Sequence, residues 1–170
     1  YSSKEEQQIE SLRKMLLAMA KDIRVILIKL SDRLHNMRTL DSQSPEKQRI
    51  KALETIEVYA PLAHRLGIQN LKSELEDISL KYLDPVGYEE ITEDLEIFKN
   101  NAFFEDTKEV IINKLKEENI TASVDSRIKH LYSIYRKMFT QDKEFSEIFD
   151  LYAYRIIVNS VSECYTVLGY

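Results

Sequence analysis

The sequence predicts a mainly α-helical chain that becomes α+β over its last third. Three observations point there. Apolar residues recur at three- and four-residue steps through the first two thirds. Only three glycines and three prolines interrupt 170 residues, which leaves room for long helices. After Ile120 the pattern changes to short stretches rich in Ile, Val and Tyr, as strands are.

From Leu12 to Leu40 the residues Leu12, Leu16, Met19, Ile23, Ile26, Leu27, Leu30, Leu34 and Met37 form one apolar stripe on a helix. Asp41-Ser42-Gln43-Ser44-Pro45 breaks it, with Ser44 as N-cap and Pro45 as first residue of the next helix. That helix carries Ile50, Leu53, Ile56, Tyr59 and Leu62, is expected to kink at Pro61, and stops at Gly67. A third runs from about Asn70 to Leu83 and ends at Asp84-Pro85. Two more follow, one on Tyr88, Ile91, Leu95 and Phe98, the other on Val110, Ile111 and Leu115. Past Glu117-Glu118-Asn119, Ile120–Val124 reads as a strand, Lys129–Phe139 as a helix and Leu151–Val158 as a second strand. Two strands do not make an independently stable sheet, so the sheet is expected to continue beyond Tyr170. The start at Tyr1, without an initiator Met, likewise predicts a piece of something longer.

A net charge of −5 argues against a protein that coats nucleic acid, although a local basic patch remains open. The single cysteine, Cys164, excludes an internal disulfide framework and fits a reducing cytoplasm. No apolar run approaches the roughly 18 residues of a membrane span; one candidate, Val25-Ile26-Leu27-Ile28, is short and flanked by Arg24 and Lys29.

Two constellations carry chemistry. In Lys29-Leu30-Ser31-Asp32-Arg33-Leu34-His35-Asn36-Met37-Arg38-Thr39-Leu40, the helical period puts Asp32, Asn36 and Thr39 on one face, opposite Leu30, Leu34 and Met37. That face could offer a carboxylate to a cation and an amide and a hydroxyl to a ligand. From the residues alone the plainer reading is a solvated surface with Asp32 paired to Arg33 or His35. In the second, Arg127, Lys129, His130, Arg136 and Lys137 crowd together with no acid among them. Lys129, Ser133 and Lys137 step by four, which suits a polyphosphate but also a generic basic surface or an RNA dock. Asp150 stands at the mouth of the second strand, where carboxylates commonly hold the Mg²⁺ of nucleotide phosphates or are ordinary strand-entry residues.

The segment "KLSDRLHNMRTL", followed by "EVYAPLAHRLGIQNLKSELEDISLKYL", resembles the helical hydrolase domain of the Rel/Spo homologue family, a His-Asp metal phosphohydrolase. "RIKHLYSIYRKM" and "FSEIFDLYAYRIIV" resemble the opening of that family's synthetase domain, a nucleotidyltransferase-like fold. The resemblance implies the C-terminal part of the hydrolase domain over 1–84, a helical connector over 85–119 and the N-terminal part of the synthetase domain over 120–170. It implies that Asp32 is the last protein ligand of a catalytic Mn²⁺ and that Asn36 and Thr39 line a guanosine pocket. The family's other ligands, a histidine and a His-Asp dyad, and its Glu-Asp acid/base pair belong upstream; His35 and His64 do not match them and read as surface and structural residues. Synthesis-only members have lost residues of this segment, so the presence of all three favours working hydrolysis.

For the second site the resemblance implies Arg127, Lys129, Ser133 and Lys137 around the ATP phosphates, Asp150 on Mg²⁺ and Arg155 supporting the nucleotide site. Ser126 departs from the family's usual glycine, which bears on the local turn. Cys164 is expected in the helix after the second strand, with no special role.

The implied parent is a bifunctional enzyme of guanosine tetraphosphate metabolism. It moves pyrophosphate from ATP to the 3′-hydroxyl of GDP or GTP and hydrolyses the product. Its partners are those nucleotides, with no membrane, and any ribosome contact would come from other parts of the parent. The isolated chain is expected to catalyse neither reaction, each site having only part of its ligands. The competing reading is a non-catalytic helical module whose basic helix docks on RNA or an acidic protein.

Overall fold

A computed structural model describes residues 22–99 and 103–169 of the chain, and the start of the long Leu12–Leu40 pattern, with Leu12, Leu16 and Met19, lies outside them. The chain divides into two compact units, 1–84 and 85–170.

The first unit is helical. α1 spans Ile23–Arg38, with Asp22 as N-cap accepting from the Arg24 amide. It buries Ile26, Leu30, Arg33 and Met37, a stripe at helical spacing in which an arginine occupies one core position. A single 3₁₀ turn, Leu40–Ser42, leads to α2 at Pro45–Glu54, which starts with Ser44 and Pro45 as the sequence predicts. The kink expected at Pro61 takes the form of a π-helical segment, Thr55–Tyr59, just before α3 at Ala60–Arg65. Pro61 has no amide proton to give the preceding turn. The ladder widens ahead of it, and the Ala60 N–H reaches back to the Thr55 carbonyl.

Gly67 then turns the chain at φ +75°, with its own N–H on the His64 carbonyl and the Ile68 N–H on the Ala63 carbonyl. This double closure requires a left-handed residue. α4, Gln69–Leu83, packs back on α1 and α2 around Leu30, Met37, Leu40, Ala52, Ala60, Ala63 and Leu75.

In the second unit α5 covers Pro85–Lys99 and α6 Phe103–Glu117. β1 is Ser123–Ile128, later than the Ile120–Val124 strand expected from sequence. The reason is the end of α6: Asn119 goes left-handed at φ 56°, and the Ile120 N–H is spent on the Leu115 carbonyl. Ile120 is therefore cap, not strand. α7 spans Leu131–Gln141, β2 Tyr152–Ile157 and α8 Val161–Leu168, the last closed by a reciprocal Ser160–Glu163 capping box. Cys164 lies exposed on α8.

The two strands are antiparallel, with Asp125 opposite Arg155, Arg127 opposite Ala153 and Ile128 opposite Tyr152. α5 and α7 share a core made of Ile91, Leu95, Ile134, Ile148 and Leu151, with Phe98, Ile128, Leu131 and Phe145 packed around it. No helix among the described residues is long and apolar enough to cross a membrane.

Candidate functional sites

Asp32 and Asn36 on α1, and Thr39 as its C-cap, are all exposed, while the buried face of α1 carries Leu30, Arg33 and Met37. The Thr39 hydroxyl donates to the His35 carbonyl at 3.1 Å, which leaves its oxygen free to accept. Asp32 does not pair with Arg33, as one sequence reading allowed. Arg33 turns inward, its Nη2 2.8 Å from Glu54 Oε2 and its guanidinium 4.0 Å from the centre of the Tyr59 ring.

The end of α1 is fixed to α4 by two contacts. Arg38 bonds Glu74 through Nε at 2.6 Å and Nη2 at 2.9 Å. Asp41 Oδ1 accepts from the Tyr82 hydroxyl at 2.7 Å and from Lys81 Nζ at 3.2 Å. The Tyr82 bond, with help from Lys81, holds the Asp41 carboxyl below its usual range. Burial, and then Asp41, push the Tyr82 phenol up to about 12. His35 is exposed; His64 is also exposed and bonds Gln69 Nε2 through Nδ1 at 3.0 Å.

In the second unit the acid and two lysines predicted from sequence come together. Asp150 accepts from Lys137 Nζ at 2.6 and 2.8 Å and from Lys129 Nζ on the same carboxylate. The lysines, Lys129 first, bring the Asp150 carboxyl down to about 2, and Asp150 in turn raises Lys137.

One detail of the sequence reading is corrected. Lys129 is not on the helix with Ser133 and Lys137. α7 starts at Leu131 after His130, and Lys129 directly follows the end of β1, its N–H donating to the Leu151 carbonyl at 2.9 Å. The step of four is thus accidental for Lys129, yet its side chain still meets Asp150 from the strand end.

Arg127 and Arg155 project from the same exposed face of the β1–β2 pair, and Arg127 Nη2 lies 3.5 Å from His130 Nε2. Ser133 is half-buried in the first turn of α7. Ser126 lies inside β1 opposite Tyr154, so nothing there requires the glycine that the family usually has. Among the described residues no group of three His, Cys, Asp or Glu able to hold a metal gathers, around Asp32, Asp150 or elsewhere.

Comparison with known proteins follows this division of the chain. Residues 1–69 match the family model for an HD domain, and residues 126–170 match that for a region found in RelA/SpoT proteins. The chain is 48% identical, over 99% of its length, to a guanosine-3′,5′-bis(diphosphate) 3′-pyrophosphohydrolase of Haemophilus influenzae. The chain belongs with the Rel/Spo homologues. It is also 48% identical over 99% of its length to the bifunctional (p)ppGpp synthase/hydrolase SpoT of Escherichia coli, and 48% identical over 98% to a GTP pyrophosphokinase of Myxococcus xanthus. It spans only 25%, 24% and 22% of these three Rel/Spo relatives.

What sequence reasoning missed is Arg33. The signal was present, since 26, 30, 33 and 37 are core spacing on one helix, but a search for apolar residues passes over an arginine.

Proposed function

We propose that this chain contributes the last part of a guanosine tetraphosphate 3′-pyrophosphohydrolase site and the opening of a pyrophosphokinase site. The observation that carries the reading is the Asp150 carboxylate bridging Lys129 and Lys137 at the entrance to β2, within the segment that matches the RelA/SpoT region.

An HD hydrolase domain works with a divalent metal, and the exposed Asp32 carboxylate suits one place in such a ligand set. When bound, that metal, Mn²⁺ on this reading, would supply an activated water for cutting the 3′-pyrophosphate. Asn36 and Thr39, one and two turns on, would hold the guanosine. The Asn36 amide both donates and accepts, and the Thr39 oxygen accepts.

At the other site Asp150 offers hard oxygens suited to Mg²⁺, which when bound would neutralise phosphate charge. Lys129 and Lys137 would exchange the Asp150 carboxylate for phosphate oxygens, freeing Asp150 for the cation. Arg127 and Ser133 would join them on the polyphosphate, and Arg155, two residues along from the partner of Arg127, would support the nucleotide from the same strand face. The pyrophosphoryl group would pass to the 3′-hydroxyl of GDP or GTP. A docking helix for RNA or an acidic protein fits less well, because Asp150 already balances two of the cations such a partner would use.

The test is an exchange of charges in a full-length protein carrying this segment. Asp32→Asn keeps the size of the side chain but removes its charge, and should cut hydrolysis by orders of magnitude while sparing synthesis. Asp150→Asn should do the converse. Equal damage to both reactions by each variant, or damage to neither, overturns the two-site assignment.

A further inference from the structure

Arg33 sits where the α1 stripe calls for an apolar residue, and its side chain is only 8% exposed. Three features hold it. Glu54, the last residue of α2, takes Nη2 at 2.8 Å; the centre of the Tyr59 ring, at the end of the π segment, lies 4.0 Å from the guanidinium carbon; and the side chain is otherwise almost fully enclosed.

A fourth feature does not fit a purely structural arginine. Nη1 is buried and has no hydrogen-bond partner among the described residues. A buried donor left unmade destabilises, and replacing a buried ion pair with apolar side chains of similar volume is often neutral or stabilising. A methionine could fill the space against Tyr59 without that penalty.

The geometry around Arg33 shows what the charge can do. Arg33 follows Asp32 directly and Met37 follows Asn36 directly, so each buried residue adjoins one of the exposed residues on the proposed metal and guanosine face. The same π segment grips both: Tyr59 stacks on Arg33, and the buried Thr55 hydroxyl lies 3.3 Å from Met37 Sδ while donating to the Lys51 carbonyl at 2.7 Å. Thr55 and Tyr59 bracket the π segment, and both of their contacts fall on the buried face of α1; π segments recur at functional sites. Glu54 balances the guanidinium, so a cation drawn to Asp32 does not meet an uncompensated positive neighbour.

We propose that Arg33, clamped by Glu54 and Tyr59, is a positioning residue that fixes the rotation of α1 and so the aim of Asp32 at its metal. This rests on the reading of Asp32 as a metal ligand.

The experiment uses a full-length protein carrying this segment and measures Mn²⁺ affinity by electron paramagnetic resonance, with hydrolysis as a function of Mn²⁺ and with thermal melting. Arg33→Met should weaken Mn²⁺ binding about 10- to 100-fold, as loss of a ligand-orienting partner does. Excess Mn²⁺ should restore hydrolysis, and Arg33→Lys should recover part of the affinity. Gly67→Ala, a destabilising change in the same unit away from this clamp, should lower the melting temperature without changing Mn²⁺ affinity. If Arg33→Met keeps parental Mn²⁺ affinity, or if Gly67→Ala weakens it equally, the positioning role is overturned. Asp32→Asn serves as the reference. If it leaves Mn²⁺ binding and hydrolysis intact, the ligand assignment fails instead, and the two failures are told apart.

Discussion

The contact between Asp41 and Tyr82 fixes the end of α1, two residues past Thr39, and it can be tested by titration. In the folded chain the Tyr82 phenol is pushed up to about 12 from 10.0, by burial first and then by the hydrogen bond and charge of Asp41. Asp41→Asn removes the charge and weakens the bond but leaves the burial. The midpoint should therefore fall partway from about 12 and stay above 10.0, because the largest cause survives. The sign for stability follows from linkage. A pKa raised on folding means that the folded state holds the proton more tightly. The contribution is complete below pH 10.0 and is lost as pH rises towards about 12. At neutral pH Asp41→Asn should cost little, since Asp41 is largely exposed. With ring-labelled tyrosine, and Tyr82→Phe to assign the signal, nuclear magnetic resonance should find one tyrosine still protonated when exposed ones have ionised. A Tyr82 midpoint near 10, or one that Asp41→Asn does not move, would mean that the phenol is not held against Asp41.

Two further outcomes test the scaffold. Gly67 stands at φ +75° with nothing within 4 Å of an added Cβ, so Gly67→Ala meets only backbone strain. It should cost roughly 1–2 kcal/mol in a melt, while Gly67→Asn, better suited to that conformation, should cost less; equal, negligible losses would mean the turn is not left-handed. Ile134 is fully buried between α7 and its neighbours, so Ile134→Ala should lose about 2–5 kcal/mol in urea unfolding, and a loss below about 1 kcal/mol would show that this core is not close-packed.

The parts of the fold legible in the sequence were those with local punctuation. Pro45, Gly67 and Pro85 mark helix ends or starts because each acts through its own backbone, and the structure places them there. The start of β1 was misplaced because alternation from Ile120 to Val124 cannot reveal that the Ile120 amide is taken by the Leu115 carbonyl. Lys129 was put on a helix because its spacing from Ser133 and Lys137 fits one. Only its bond to Leu151, a residue far along the chain, shows that it lies just past the end of β1 and ahead of the helix. In the candidate sites, the shared face of Asp32, Asn36 and Thr39 follows from period alone. The meeting of Asp150 with Lys129 and Lys137 needed tertiary structure, and so did the burial of Arg33 against Glu54 and Tyr59.

The ion pairs of the chain differ in what they can do. Asp150 is more than half exposed, and its lysine partners reach it from the edge of the unit. Pairs of this kind add little to stability, because water solvates the separated charges almost as well. An entering polyphosphate can therefore exchange with Asp150 at small cost, while in its absence the carboxylate keeps the two lysines together. The Arg33–Glu54 pair is the opposite case, with the arginine side chain 8% exposed and stacked on Tyr59. Removing Glu54 would strand the arginine's charge away from water, which is costly. On the proposed assignment, exchangeable pairing would stand where a ligand displaces it, and buried pairing would stand next to the residue whose aim matters. A ligand-displaced Arg33 would contradict this division, because nothing entering from solvent could repay its desolvation.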